Sequence, residues 1–180
     1  MTWEFFQNEV RPQDLLDGRS APQKVLSFGY DESAASLVLP ALLLGHEVTI
    51  LGRYAERPST MTDLNTVCYP NVDLETWLPI EQYDVVLAYN TLQHLNHDYV
   101  LEVLLFFLAF RLNPGGIIDI VVPASQDSHP ARSRYERTEI VAALERSHLE
   151  FLRQSVVWRV HKTSGAIEQT HVVWVRAQKP

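Results

Sequence analysis

The sequence predicts an α/β domain of three layers, a mostly parallel sheet between helices, and three stretches carry that prediction. In the first, Val25, Leu26 and Phe28 form a short apolar run closed by Gly29, and a small-residue helix follows from about Glu32 to Leu44. Glu47 to Leu51 is then a second apolar run rich in β-branched residues, so residues 24–51 read as a strand-helix-strand crossover with parallel strands. In the second, Tyr83 to Tyr89 is a run apolar but for Asp84, of the kind buried on both faces of a parallel sheet. In the third, Glu150 to His161 and Gln169 to Ala177 are two long strands joined by a short loop, which makes an antiparallel hairpin. Six or seven strands with interleaved helices follow from these together.

The bulk properties agree with one such domain. At 180 residues, 46% of them hydrophobic, residues 24–180 can build one sizeable core, with residues 1–23 as an N-terminal arm or short helix. The formal charge of -7 disfavours nucleic acid as a partner, since that binding rests on clustered cations. Arg132, Arg134 and Arg137 do lie close together, but Glu136 and Glu139 interleave with them, as on a solvated helix start. Cys68 is the single cysteine, which excludes an internal disulfide and points to a reducing compartment. The N-terminus has no basic stretch followed by an apolar core, as a signal peptide would. The longest apolar run, Val103 to Phe110, is far below the roughly 20 residues that span a bilayer. The expectation is a cytoplasmic protein with no membrane partner.

Taken in order, Trp3, Phe5 and Phe6 anchor the arm, and Pro12, Gly18 and Pro22 mark a turn-rich connector to the first strand. In open parallel sheets ligands gather where strand ends meet helix N-termini, which makes the Gly29 to Ser33 turn the first place to look for function. Gly52 to Pro70 is polar and irregular, with a short helix capped by Ser59 and running through Asn65, and a further strand near Thr66 to Tyr69 or Val72 to Leu74. After Tyr89, the polar residues Asn90 and Thr91 stand at the crevice mouth. A helix from His97 to Leu112 is capped by Asn96 or Asp98 and is apolar nearly all round. Its surplus face calls for the N-terminal arm or a second subunit, hence a homo-oligomer, at its simplest a dimer, through residues 100–110. Asn113 to Gly116 break the helix, Ile117 to Val122 form the next strand, and Glu136 to Ser147 return to helical spacing.

With this element order the sequence resembles the class I S-adenosylmethionine-dependent methyltransferases over roughly residues 24–177. Val25 to Ser33 occupies the place of the family's first-strand glycine motif. Y-D-V-V-L-A-Y-N-T-L-Q-H-L, Tyr83 to Leu95, is similar to its fourth strand and the turn after it. R-L-N-P-G-G-I-I-D-I-V-V, Arg111 to Val122, is similar to its L-K-P-G-G turn and fifth strand, and the hairpin matches its antiparallel seventh strand. The resemblance implies a Rossmann-like methyltransferase fold with a mostly parallel seven-stranded sheet and a C-terminal antiparallel hairpin. It further implies S-adenosylmethionine held by Gly29, Tyr30, Asp31, Asp73 and Asn90, and a small-molecule acceptor near His94. The sequence departs from the family where Asp31 and Ser33 replace glycines, Ser27 replaces an acid, and Gly52 stands where an acid holds the ribose hydroxyls. Those departures keep open an alternative, a catalytically inactive methyltransferase-fold protein serving as a binding or scaffold subunit for a protein partner.

His94 is the candidate catalytic residue, because imidazole takes and gives protons near neutral pH; the other reading is a structural turn residue. His94, His97 and Asp98 have ligand-like spacing, yet no second cluster supports them, so no metal is expected. Ser125, Asp127 and His129 lack a strained nucleophile turn and read as a polar loop. Nicotinamide binding would need G-x-G-x-x-G spacing and an acid after the second strand, and both are missing.

Overall fold

The computed structural model describes residues 2–5, 22–28, 38, 41–52, 66–70, 73, 80–124, 134–163 and 166–180. One sheet runs through them, made of β1 (Thr2–Phe5), β2 (Lys24–Phe28), β3 (Glu47–Gly52), β4 (Thr66–Pro70), β5 (Tyr83–Tyr89), β6 (Leu112–Pro123), β7 (Glu150–Thr163) and β8 (Ala166–Gln178). Their spatial order is β1-β7-β8-β6-β5-β2-β3-β4. The pairings among β6, β5, β2, β3 and β4 are parallel, and β8, β7 and β1 add antiparallel strands on one side. The chain thus has the Rossmann-like α/β fold with its antiparallel C-terminal hairpin, with eight strands among the described residues rather than the expected seven.

The additional strand lies in the N-terminal segment, where a helix or arm was expected. Thr2–Phe5 instead pairs antiparallel with Arg159 to Lys162 of β7. β8 pairs with one edge of the 14-residue β7 from Glu150 to Thr163, and the other edge is a template for another strand. The hairpin strands are also longer than their apolar runs, with Thr163 opposite Ala166, because ladder bonds are made whatever the side chains are.

Alternation along the strands sorts the core onto two faces. Leu26, Phe28, Val86, Ala88, Ile118, Ile120, Val122, Val173, Val175 and Ala177 point to one side. There they meet Leu104, Leu105 and Leu108 from the helix over residues 97–110 (α1) and Ile140, Ala143 and Leu144 from Arg137–Glu145 (α2). Val25, Val85, Leu87, Val121 and Trp174 point to the other, where Val38, Ala41 and Leu42 of the crossover helix cover them. Helices on both faces explain why β2 and β5 read as continuous apolar runs rather than alternating ones.

α1 starts where Asn96 Oδ1 accepts the Tyr99 N–H at 3.0 Å, so of the two expected caps Asn96 takes the role. Its middle turn, Val100–Leu104, is a π-helix, and it closes at Phe110 rather than Leu112, which already belongs to β6. The Asn113 to Gly116 stretch lies inside β6 as an irregularity: Asn113 Nδ2 donates to Asp84 Oδ1 at 2.8 Å, and Gly115 has φ 75°. α2 opens on a reciprocal capping box between Glu136 and Glu139. No helix among the described residues is long and apolar enough to cross a membrane.

Candidate functional site

Parallel pairing lines up the C-terminal ends of five strands at one edge. Phe28 pairs with Leu51, Gly52 with Pro70, and Tyr89 with Val121. A crevice at this edge is where such a sheet offers its unpaired backbone groups and loops to a ligand. Of the residues expected around a cofactor, Gly29, Tyr30 and Asp31 lie outside the described residues, as do Ser125, Asp127 and His129. Asp73 is exposed three positions beyond the end of β4. Asn90 stands directly after β5 with φ 50°, a left-handed conformation that asparagine tolerates better than most residues.

That conformation turns the chain back on itself and fixes the segment carrying His94. The Asn90 N–H donates to Val121 O of β6 at 2.9 Å, and buried Thr91 Oγ1 donates to Tyr89 O at 3.1 Å. Leu92–His94 then form one 3-10 turn closed by His94 N to Thr91 O at 3.0 Å. Tyr135, at the entry to α2, braces the same turn by donating its hydroxyl to Leu92 O at 2.9 Å. Burial first, and Glu139 second, raise the Tyr135 pKa, so it remains a neutral phenol and a donor.

At the tip of this turn His94 is exposed and Gln93 is buried. Gln93 Nε2 donates to Asn90 O at 2.7 Å and lies 3.4 Å from His94 Nε2. Gln93 Oε1 is buried without a hydrogen-bond partner, a condition that costs about 1–3 kcal/mol until a donor arrives. The turn after β5 therefore presents an exposed imidazole over a buried, unsatisfied acceptor. The sequence placed His94 there but gave no weight to Gln93 or Tyr135; the period of the 3-10 turn, which buries the residue before the histidine, is invisible in residue types alone.

His97 is drawn away from His94 into another role. Its ring stacks on Tyr135 with centroids 4.9 Å apart, and its Nε2 lies 3.6 Å from Glu139 Oε2. Among the described residues no group of three His, Cys, Asp or Glu could hold a metal ion.

Just below the edge, on the face away from α1 and α2, lies a buried charged cluster that the sequence reading did not single out. Asp119 of β6 accepts from Tyr89 Oη, from Trp174 Nε1 at 2.8 Å, and from Arg176 Nε and Nη2 at 3.2 and 3.0 Å. Arg153 stacks over Trp174 with its guanidinium carbon 4.0 Å from the ring centroid. Burial first, then the neighbouring Asp119 carboxylate, push the Tyr89 pKa well up, so its proton stays in place. The signal was present: one acid in the run I-I-D-I-V-V, and Trp174 and Arg176 two apart on one face of β8.

The strand order, five parallel strands extended by an antiparallel hairpin, is that of the class I S-adenosylmethionine-dependent methyltransferase fold. Solved structures agree with it. A SAM-dependent methyltransferase from Methanosarcina mazei superposes with a TM-score of 0.68 at 13% identity, covering 89% of this chain and 94% of that one. The 1,6-didemethyltoxoflavin-N1-methyltransferase of Burkholderia thailandensis, solved with its acceptor and S-adenosylhomocysteine, gives 0.66 at 18% identity, with 93% and 76% covered. The N-methyltransferase NodS of Bradyrhizobium japonicum gives 0.66 at 14% identity, with 94% and 92% covered. No protein-family model matches the sequence, and no curated protein is similar to it in sequence.

The described residues fit an adenosyl cofactor in part. β3 ends in Gly52, which offers no side chain to ribose hydroxyls, and Asp73 is exposed beyond β4.

Proposed function

We propose that the chain is an S-adenosylmethionine-dependent methyltransferase-like protein acting on a small-molecule acceptor. The observation that supports this reading is the braced turn from Asn90 to His94, with an exposed imidazole next to the unpartnered Gln93 Oε1 at the C-terminal edge. Bound S-adenosylmethionine would supply an electrophilic methyl group. The chain's own part is to position and deprotonate. An acceptor N–H or O–H docks against the exposed His94 imidazole, which takes the proton that leaves as the methyl group arrives. Asp73 and Asn90 are the described residues assigned to the cofactor, with Gly29, Tyr30 and Asp31 completing its site. A cytoplasmic setting belongs to the same proposal, supported by the single cysteine.

A second reading is favoured by one observation, the glycine at the end of β3: a fold kept for binding, with catalysis lost. Titration calorimetry with S-adenosylmethionine and S-adenosylhomocysteine separates the two. The first reading expects micromolar binding, about -8 kcal/mol, and an exposed-imidazole variant, His94→Ala, that binds cofactor as before while losing methyl transfer. Absence of heat and of any thermal shift at millimolar ligand would leave only the second.

A further inference from the structure

We propose that the outer face of α1 is a self-complementary surface through which two copies of this chain pair, helix against antiparallel helix, about a twofold axis. One side of α1 buries Val100, Leu104, Leu105 and Leu108 against the sheet. The opposite side leaves Val103 47%, Phe106 51% and Phe110 58% exposed. Residues three and four apart share a helix face, so these side chains form one apolar stripe along its length. Ile80 extends the stripe at the C-terminal end, where Arg111 Nη1 donates to Ile80 O at 2.6 Å.

Charge is divided between the ends of this stripe. Asp98 and Glu102 are exposed at the N-terminal end. At the C-terminal end the Arg111 guanidinium lies 4.7 Å from the Phe107 ring centroid and 5.7 Å from that of Phe110. Lys179 Nζ lies 5.8 Å from the Phe110 centroid and donates to Leu112 O at 2.7 Å. No carboxylate among the described residues pairs with Arg111 or Lys179, and Glu102 has no ion pair there either.

An acidic partner would meet the cations and repel Asp98 and Glu102; a basic one would do the reverse. The surface that matches both ends is one with the same stripe and the opposite polarity, which is this helix turned end for end. With the axis between Phe106 and Phe107, Val103 faces Phe110 of the second copy and Glu102 faces Arg111. Antiparallel alignment also sets each helix C-terminus beside the other's N-terminus, so the macrodipoles attract. A twofold contact of this kind is closed, which limits the assembly to two chains. One helix face is at the small end of specific interfaces, so the pairing is concentration-dependent.

Sedimentation equilibrium of the full chain from about 1 to about 200 µM tests this. The expected mass rises with concentration from one chain to two and stops there. Phe106→Asp and, separately, Glu102→Lys each weaken association at least tenfold, with melting temperatures close to that of the unchanged chain because both positions face solvent. If Phe106→Asp fails to fold, the Glu102→Lys result decides alone. A monomer across the whole range overturns the proposal, as does growth beyond two chains or a dimer that neither folded variant weakens.

Discussion

Asp119 shows how much one side chain can carry. Its carboxylate sits in an otherwise apolar strand, and the charge is tolerable because Arg176 forks onto it while Tyr89 and Trp174 donate to it. Asp119→Asn leaves Arg176 as an uncompensated buried cation, and a loss of about 3–5 kcal/mol in denaturant unfolding is expected. Replacing both, Asp119→Leu with Arg176→Met, removes the charges together and costs less than the single change. A double variant as unstable as the single would show that Trp174 and Tyr89, not the ion pair, set the energy. His46 makes the opposite use of burial. Its Nδ1 accepts the Gln23 N–H at 3.0 Å, which requires the neutral ring, and burial lowers its pKa from the usual 6.5. Stability from this contact is complete above that value and is lost as pH falls below it toward the folded-state pKa. A melting temperature that declines below pH 6.5 is expected, and His46→Asn, which keeps an acceptor without the titration, flattens the decline.

The elements with the strongest apolar signal were legible, and the reasons for the rest are local. β2 and β5 follow from runs buried on both faces and β3 from its β-branched apolar residues, and the end of α1 was misjudged because Leu112 is as apolar as the residues before it. The turn after Arg111 is decided by what the backbone touches. At Gly116 an added Cβ would lie 2.8 Å from Asn113 O and 3.2 Å from both Asp84 O and Tyr83 O. These are backbone atoms of β5 and of β6 itself, so they cannot swing aside. Gly116→Ala should therefore cost about 1–3 kcal/mol by overpacking, measured by chemical unfolding. Gly115 is restricted differently: nothing crowds its missing Cβ, but its φ of 75° favours glycine. The candidate site was legible as a place, the end of β5 and His94, because strand ends are where such sheets bind. Its working parts were not, since Gln93 and Tyr135 gain their roles from a turn and a segment more than 40 residues apart in sequence.

Across the molecule, the sheet order predicts a gradient of stability from centre to edges. β5 has a parallel neighbour on each side, and Val85, Val86, Leu87, Ala88 and Tyr89 are all buried. Among the described residues β4 has a single neighbour, β3, and it exposes Val67 and Tyr69. β1 pairs over four residues with β7 alone. Opening β5 requires breaking two ladders and both core layers, which amounts to global unfolding, whereas β4 and β1 can detach with the rest intact. Native-state hydrogen exchange should then find β2, β5 and β6 amides exchanging at the free energy of global unfolding, and β4 and β1 amides exchanging through local opening at markedly lower free energies. Denaturant sharpens the distinction: exchange in β5 should depend steeply on it, because a large area is exposed, and exchange in β4 only weakly. Equal protection in β4 and β5 would mean that an edge the sheet order leaves open is covered in solution. The crevice lies between these limits, on strands whose bodies are the most protected and whose ends carry the turn at Asn90. A ligand bound there should slow exchange of the turn amides at Asn90, His94 and Leu95, each already hydrogen-bonded, without changing that of β5 below them.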